Sequence, residues 1–186
     1  MFTKEYWRSS FAKLKDIRYL AIIGLMIALK FILNQIRIPV SDNLNVMFSF
    51  VPVAIEAMIV GPGAAMVSAA VTDTLVTMLS SWGPYFPGYL LSRVLGSLIF
   101  GLFLYRTRFT LWKTALAKAL INYGVNVALG SLWSSMLYGK AFLYYAGTSL
   151  IKNTILLPFE VLILYALLKA LIPPMRKRGL ISDTTI

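Results

Sequence analysis

Six apolar runs set the limits on what this chain can become: residues 17–37, 44–60, 63–80, 86–105, 112–137 and 148–172. A helix needs about 20 mostly apolar residues to cross the hydrocarbon core of a bilayer. In lipid every backbone N–H and C=O must be satisfied internally, so runs of this kind fold as helices. Together they occupy most of the 186 residues. The sequence therefore predicts an all-α integral membrane protein, a single bundle of six transmembrane helices over residues 1–186. Charged residues agree with this, at 13% where a soluble domain carries roughly 25%. The runs at 44–60 and 63–80 are short, and the Gly61-Pro62-Gly63 joint between them is a tight turn and not a domain boundary.

The net charge of +11 is concentrated between the runs. Lys4, Arg8, Lys13, Lys15 and Arg18 crowd the start; Arg106, Arg108 and Lys113 share one interior loop; Arg176, Lys177 and Arg178 lie in the tail. The opposite loops hold Arg37 and Lys140. Basic residues favour the cytoplasmic side, which predicts that both termini are cytoplasmic in a multi-pass protein of the cell membrane. Residues 1–16 form a basic arm amphipathic enough to lie on the membrane surface, and residues 175–186 form a cytoplasmic tail. The first apolar run is longer than a signal-peptide h-region and lacks a small-residue cleavage pattern. No interleaved basic and aromatic surface suggests nucleic acid, so lipid and not nucleic acid is the expected surroundings.

A charge at a helix centre costs about 2.5 to 3.5 kcal/mol on insertion scales, so such residues face the bundle interior, a cavity or one another. Asp73 lies in the third run and Arg93 in the fourth, both roughly 10 Å below the outer surface by the helical rise. Other polar and aromatic residues gather at that level. Tyr89 stands one turn above Arg93 and Ser97 one turn below. Asn122, Asn126 and Trp133 share a face of the fifth helix. Asn45 begins the second run, Lys152 and Asn153 lie early in the sixth, and Trp82, Tyr85 and Phe86 precede the fourth. Singly, these have plain structural explanations: an ion pair that fixes packing, interfacial aromatics, interhelical hydrogen bonds. Taken together, at one depth and on one side, they describe a cavity for a polar, partly flat ligand. The inner half holds Glu56, Lys118 and Glu160, expected to pair with one another. On the first helix Ala21, Gly24 and Ala28 form a small-residue face, suited to close packing within the chain or to a docking partner.

Catalysis has little support. There is no histidine and no cysteine, which removes histidine bases, thiolate nucleophiles and the commonest metal ligands. "GPGAAMVS" lacks the lysine of a phosphate loop. No cofactor or metal site is expected. A chain of this kind that moved a solute uphill would draw its energy from ion coupling or from another subunit.

In size, span number, basic N-terminus and small-residue first helix, the chain resembles the substrate-binding S components of energy-coupling factor (ECF) vitamin transporters. The segments "NLNVMFSFVPVAIEAMIVGPGAAMVSAAVTDTL", "YFPGYLLSRVLGSLIFGLFLY" and "LWSSMLYGKAFLYYAGTSLIKNTILLPFEVLIL" are most similar to the folate-specific members. The resemblance implies a vitamin bound from outside and a separate transmembrane coupling subunit with two ATPases. It also implies that the first helix docks the coupling subunit through an alanine-x-x-x-alanine motif, in which Gly24 here replaces the first alanine and Ala28 is the second. A folate would set its pterin N–H edge against Asp73 and its ring against Phe86, Tyr89 or Trp133. Its anionic tail would meet Lys152 or Arg37, and Arg93 would bind the ligand or hold Asp73. Pantothenate, a pyrimidine or a modified purine are the alternative ligands, and a ligand-free assembly subunit the alternative role.

Overall fold

The computed structural model describes residues 4–36, 38–41, 44–46, 48–79 and 85–181, the backbone alone in 38–41 and 44–46. Arg37, Trp82 and the side chain of Asn45 lie outside the described residues.

A short helix α1 (Lys4–Ala12) and one 3-10 turn (Lys13–Lys15) precede α2 (Ile17–Gln35). Asp16 starts α2 by accepting the Arg18 N–H at 2.9 Å, a side-chain N-cap. Two short strands follow, β1 (Ile38–Ser41) and β2 (Leu44–Val46), paired antiparallel with Ile38 opposite Val46. Then come α3 (Phe50–Val60), α4 (Pro62–Leu79) and α5 (Pro87–Leu104). A continuous helical stretch contains α6 (Leu111–Leu120), a π-helical segment (Ile121–Leu129) and α7 (Gly130–Tyr138), before the 36-residue α8 (Phe142–Lys177). Four of these, α2, α4, α5 and α8, are long and apolar enough to cross a membrane, and α3 is a shorter apolar helix.

The second apolar run differs most from expectation. Residues 44–46 are strand, and the helix begins only at Phe50. Pro52 explains the start. Proline lacks an N–H and clashes with the preceding turn, so it suits the first turn of a helix and breaks its interior. Starting at Phe50 puts Pro52 in that first turn. Upstream, the β-branched Ile38, Val40 and Val46 flank Asp42 and Asn43, which is hairpin composition. At 11 residues, α3 is about 16 Å long, roughly half a hydrocarbon core. The last run errs the other way: α8 starts at Phe142, because Gly139 (φ 74°) ends α7 in a left-handed turn and leaves only a brief link.

Small residues let the helices approach closely. Ala54, Ala57, Ala64 and Ala65 are fully buried between α3 and α4, joined through Gly61 at φ 85°. Gly101 of α5 sits on this joint, where a Cβ would come within 2.5 Å of the Pro62 Cα. Phe100, Leu104, Leu164 and Leu168 complete the core. α1 does not lie free of the bundle. Its Ser10 Oγ donates to Val60 O (2.9 Å) and accepts from the Ala64 N–H (3.1 Å), and its Tyr6 hydroxyl donates to Gly101 O (3.1 Å). The helix thus satisfies backbone groups at the α3–α4 turn that would otherwise be orphaned. Beside it Lys13 donates to Ile59 O, and burial, with the neighbouring Arg106 adding to it, pushes its ammonium down to about 8. The outward faces of α2 and α8 carry exposed leucine and isoleucine, as lipid contact requires.

Candidate ligand site

Because α3 is half-length, the ends of α2, α4 and α5 on the hairpin side extend past it. Asp73 lies six residues before the end of α4, and Arg93 six residues after the start of α5, so both fall at this end. Arg93 Nε is 3.4 Å from Asp73 Oδ1, with Asp73 buried and Arg93 one-third exposed. The other arm of the guanidinium donates from Nη2 to Asn34 Oδ1 of α2 at 3.3 Å. One cation therefore ties three helices together. Asn34 was not among the residues singled out from sequence. Its signal is periodicity: Ile23, Lys30 and Asn34, spaced seven and four, are the buried residues of an otherwise lipid-facing helix.

One turn toward the start of α5, the Tyr89 hydroxyl lies 3.1 Å from Ser134 Oγ of α7. Trp133, next to Ser134, donates its Nε1–H to Ser92 Oγ at 3.0 Å. The Phe86 ring lies between these, its centroid 5.8 Å from those of both Tyr89 and Trp133 and steeply tilted to each. Phe86, Tyr89 and Trp133 thus form one aromatic cluster, which α5 links directly to Arg93.

Asn126, Lys152 and Asn153 belong to a different grouping, between the π-helical segment and α8. Asn126 Nδ2 donates to Asn122 Oδ1 (3.3 Å), and Asn122 Nδ2 donates to Glu160 Oε2 (2.8 Å). Lys118 Nζ reaches the same oxygen at 3.2 Å. Asn153 Nδ2 donates to Ser149 O and Oγ within its own helix, and Ser149 Oγ donates to Asn126 O at 3.5 Å. Of these bonds, Asn122 to Glu160 and Ser149 to Asn126 O cross between helices, the interhelical role considered for Asn122 and Asn126, while the others lie within one helix. The expected partnership of Lys118 with Glu160 is present, but Glu56 is not part of it. Glu56 Oε2 instead pairs with Lys30 Nζ at 2.7 Å, and Lys30 also donates to Ser68 Oγ at 2.8 Å. Lys30 lies a turn below Asn34 on α2, so this ion pair forms a buried layer beneath the Asp73–Arg93 level. Ala21, Gly24 and Ala28 are exposed on the opposite face of α2, and Gly24 has open space where a side chain would stand. Among the described residues no group of three or more acidic residues is placed to hold a metal ion.

Residues 18–168 match the family model described as ECF transporter, substrate-specific component. The folate transporter FolT of Clostridium novyi is 30% identical over 152 residues, covering 82% of this chain and 88% of that protein. FolT of Leuconostoc mesenteroides is 31% identical over 159 residues, covering 82% and 85%. A crystal structure of FolT bound with folic acid superposes with a TM-score of 0.76 at 30% identity, covering 81% of this chain and 92% of that one. With the family model spanning most of the chain and relatives of this identity along nearly their full lengths, the chain belongs to the substrate-specific components of ECF transporters.

Proposed function

We propose that this chain is the folate-binding substrate-specific component of an ECF-type uptake transporter in a bacterial plasma membrane. It captures the vitamin from outside as a single membrane domain with both termini cytoplasmic. The observation that carries the reading is the Asp73–Arg93 pair adjoining the Phe86–Tyr89–Trp133 cluster, in a chain alignable over four-fifths of its length with folate transporters. A pterin has a flat ring and an edge of adjacent N–H donors. The first suits tilted aromatic walls and the second a carboxylate that can accept two N–H groups side by side. Lys152 or Arg37 would meet the anionic glutamate tail, with Trp82 and Asn45 beside it, while Asn126 and Asn153 bond between the π-helical segment and α8. No bond is made or broken, so the protein is a binding component and not an enzyme.

The direct test is binding. Purified protein in detergent should take up folic acid in a 1:1 ratio with quenching of its tryptophan fluorescence. Pantothenate, pyrimidines and modified purines should neither quench nor raise the melting temperature, since a tight ligand stabilises by mass action. Stabilisation by one of these and not by folic acid would transfer the assignment to that vitamin.

The energy comes from a transmembrane coupling subunit with two ATPases, docked on the exposed Ala21–Gly24–Ala28 face of α2. A Gly24→Trp variant should keep its folic acid affinity, because the new ring points away from the bundle, yet should lose co-purification with the coupling subunit and folate uptake into cells. Unchanged uptake would remove this face from the interface.

A further inference from the structure

The first two turns of α5 carry two residues, Gly88 and Ser92, with no role in the reading above. Gly88 is buried, and a Cβ added there would lie 2.5 Å from Trp133 Cδ2, 2.9 Å from its Cε2 and 2.5 Å from Phe86 Cε1. These atoms belong to rigid rings, not to flexible tips, so neither neighbour can yield by a simple torsion. Gly88 lies in a regular helix with negative φ, where alanine would suit the backbone better. The conformational freedom of glycine is therefore not what the position uses. What it uses is the missing side chain: the indole rests directly on the α5 backbone. One turn further on, Ser92 Oγ accepts the indole N–H at 3.0 Å, which fixes the rotation of the ring in its plane.

We propose that Gly88 and Ser92 are positioning residues of the ligand site. Gly88 sets how closely Trp133 and Phe86 approach α5, Ser92 sets which edge of the indole faces inward, and together they fix the width of the slot that receives the flat ring of the ligand. Neither residue need touch the ligand. The inference rests on the aromatic cluster being the ring-binding wall, as proposed above. It goes further in assigning ligand fit to a backbone position with no functional group.

Protein labelled with 5-fluorotryptophan provides the test, because its fluorine resonances report ring placement without ligand. The Trp133 line is assigned by its absence from a Trp133→Phe variant, and the Trp7 and Trp112 lines serve as controls for the fold. In Gly88→Ala the Trp133 line should move while the control lines stay. Folic acid affinity should fall by about tenfold or more, the equivalent of the overpacking cost of one forced ring. Ser92→Ala should also move the Trp133 line and lower affinity by about fivefold, the scale of one lost hydrogen bond. Ser92→Thr, which keeps the acceptor, should recover most of it. In the Trp133→Phe background, Gly88→Ala should have a smaller further effect on affinity, the remainder coming from Phe86, whose Cε1 lies as close to the added Cβ as the indole does.

If Gly88→Ala is too unstable to purify, Ser92→Ala and Ser92→Thr carry the test alone. A Trp133 line that stays in place, or a line that moves while folic acid affinity is unchanged, overturns the proposal. Failure of the unaltered protein to bind folic acid overturns the folate reading instead. The vitamin identified by the screen then replaces folic acid as the probe, and the same two outcomes decide the proposal.

Discussion

Lys30→Met should cost this protein about 3 kcal/mol of stability, the lower end for breaking a buried ion pair from one side. Lys30 is 2% exposed and Glu56 fully buried, with Nζ and Oε2 2.7 Å apart. Removal of the ammonium leaves a carboxylate that already lacks a hydrogen-bond partner at Oε1 and now loses its only counter-charge among the described residues. Ser68 Oγ loses its donor at the same time. Protonation of Glu56 would limit the loss and not cancel it, because a neutral carboxyl still needs partners when buried. The melting temperature in detergent should drop on the order of 10 °C, scaled for a chain of this size. The double variant Lys30→Met with Glu56→Leu should regain most of that drop, since a buried pair exchanged for apolar residues of similar volume is often close to neutral. A single variant as stable as the parent would mean that the pair contributes nothing to holding α2 against α3 and α4.

Asp73→Asn should weaken folic acid by at least about 30-fold, which corresponds to the 2 kcal/mol or more expected when one partner of a desolvated charged contact is lost. An amide keeps the size of the carboxylate but replaces one acceptor with a donor that faces the ligand's own N–H edge. The fold should tolerate the change far better than the loss of Lys30. Arg93 retains Asn34 as an acceptor, and the new amide oxygen remains beside it as a second, so the guanidinium is not left without partners. Titration of folic acid into the variant, with its melting temperature measured in parallel, separates the two effects. The alternative of a purely structural ion pair makes the opposite forecast: Asp73→Leu with Arg93→Leu would then bind folic acid normally and support uptake. Normal binding by either variant would remove Asp73 from the site.

Several of these features were legible before any coordinates. That Asp73 and Arg93 turn inward at one depth followed from the cost of leaving either facing lipid, with their ion pair one of the readings this left open. The closeness of Tyr89 to Arg93 followed from helical spacing alone. Lys118 and Glu160 met as expected. Other features were misread for identifiable reasons. Lys30 is hidden inside an apolar run, so the sequence points Glu56 toward Lys118 and Glu160 and not toward its actual partner. The start of α3 was placed six residues early because hydropathy outweighed Pro52, although proline constrains a helix start more tightly than hydropathy does. What the charges of the N-terminal arm do not reveal is its docking on the bundle, because the residues that dock α1, Tyr6 and Ser10, are uncharged.

From sequence alone it was settled that the chain lies in a membrane as helices and that its intramembrane charges turn inward, because hydrocarbon offers neither backbone groups nor ions an alternative partner. Periodicity did not settle every face: Asn122, Asn126 and Trp133, expected on one face, are split by the π-helical segment, the amides turning to α8 and Trp133 to α5. The pairing of each buried charge, and the seating of Trp133 on a bare stretch of α5 backbone, depended on the rotation and height of one helix against the next. Those are set by the packing of small residues such as Ala64 and Gly101 across whole interfaces, and no single helix contains that information.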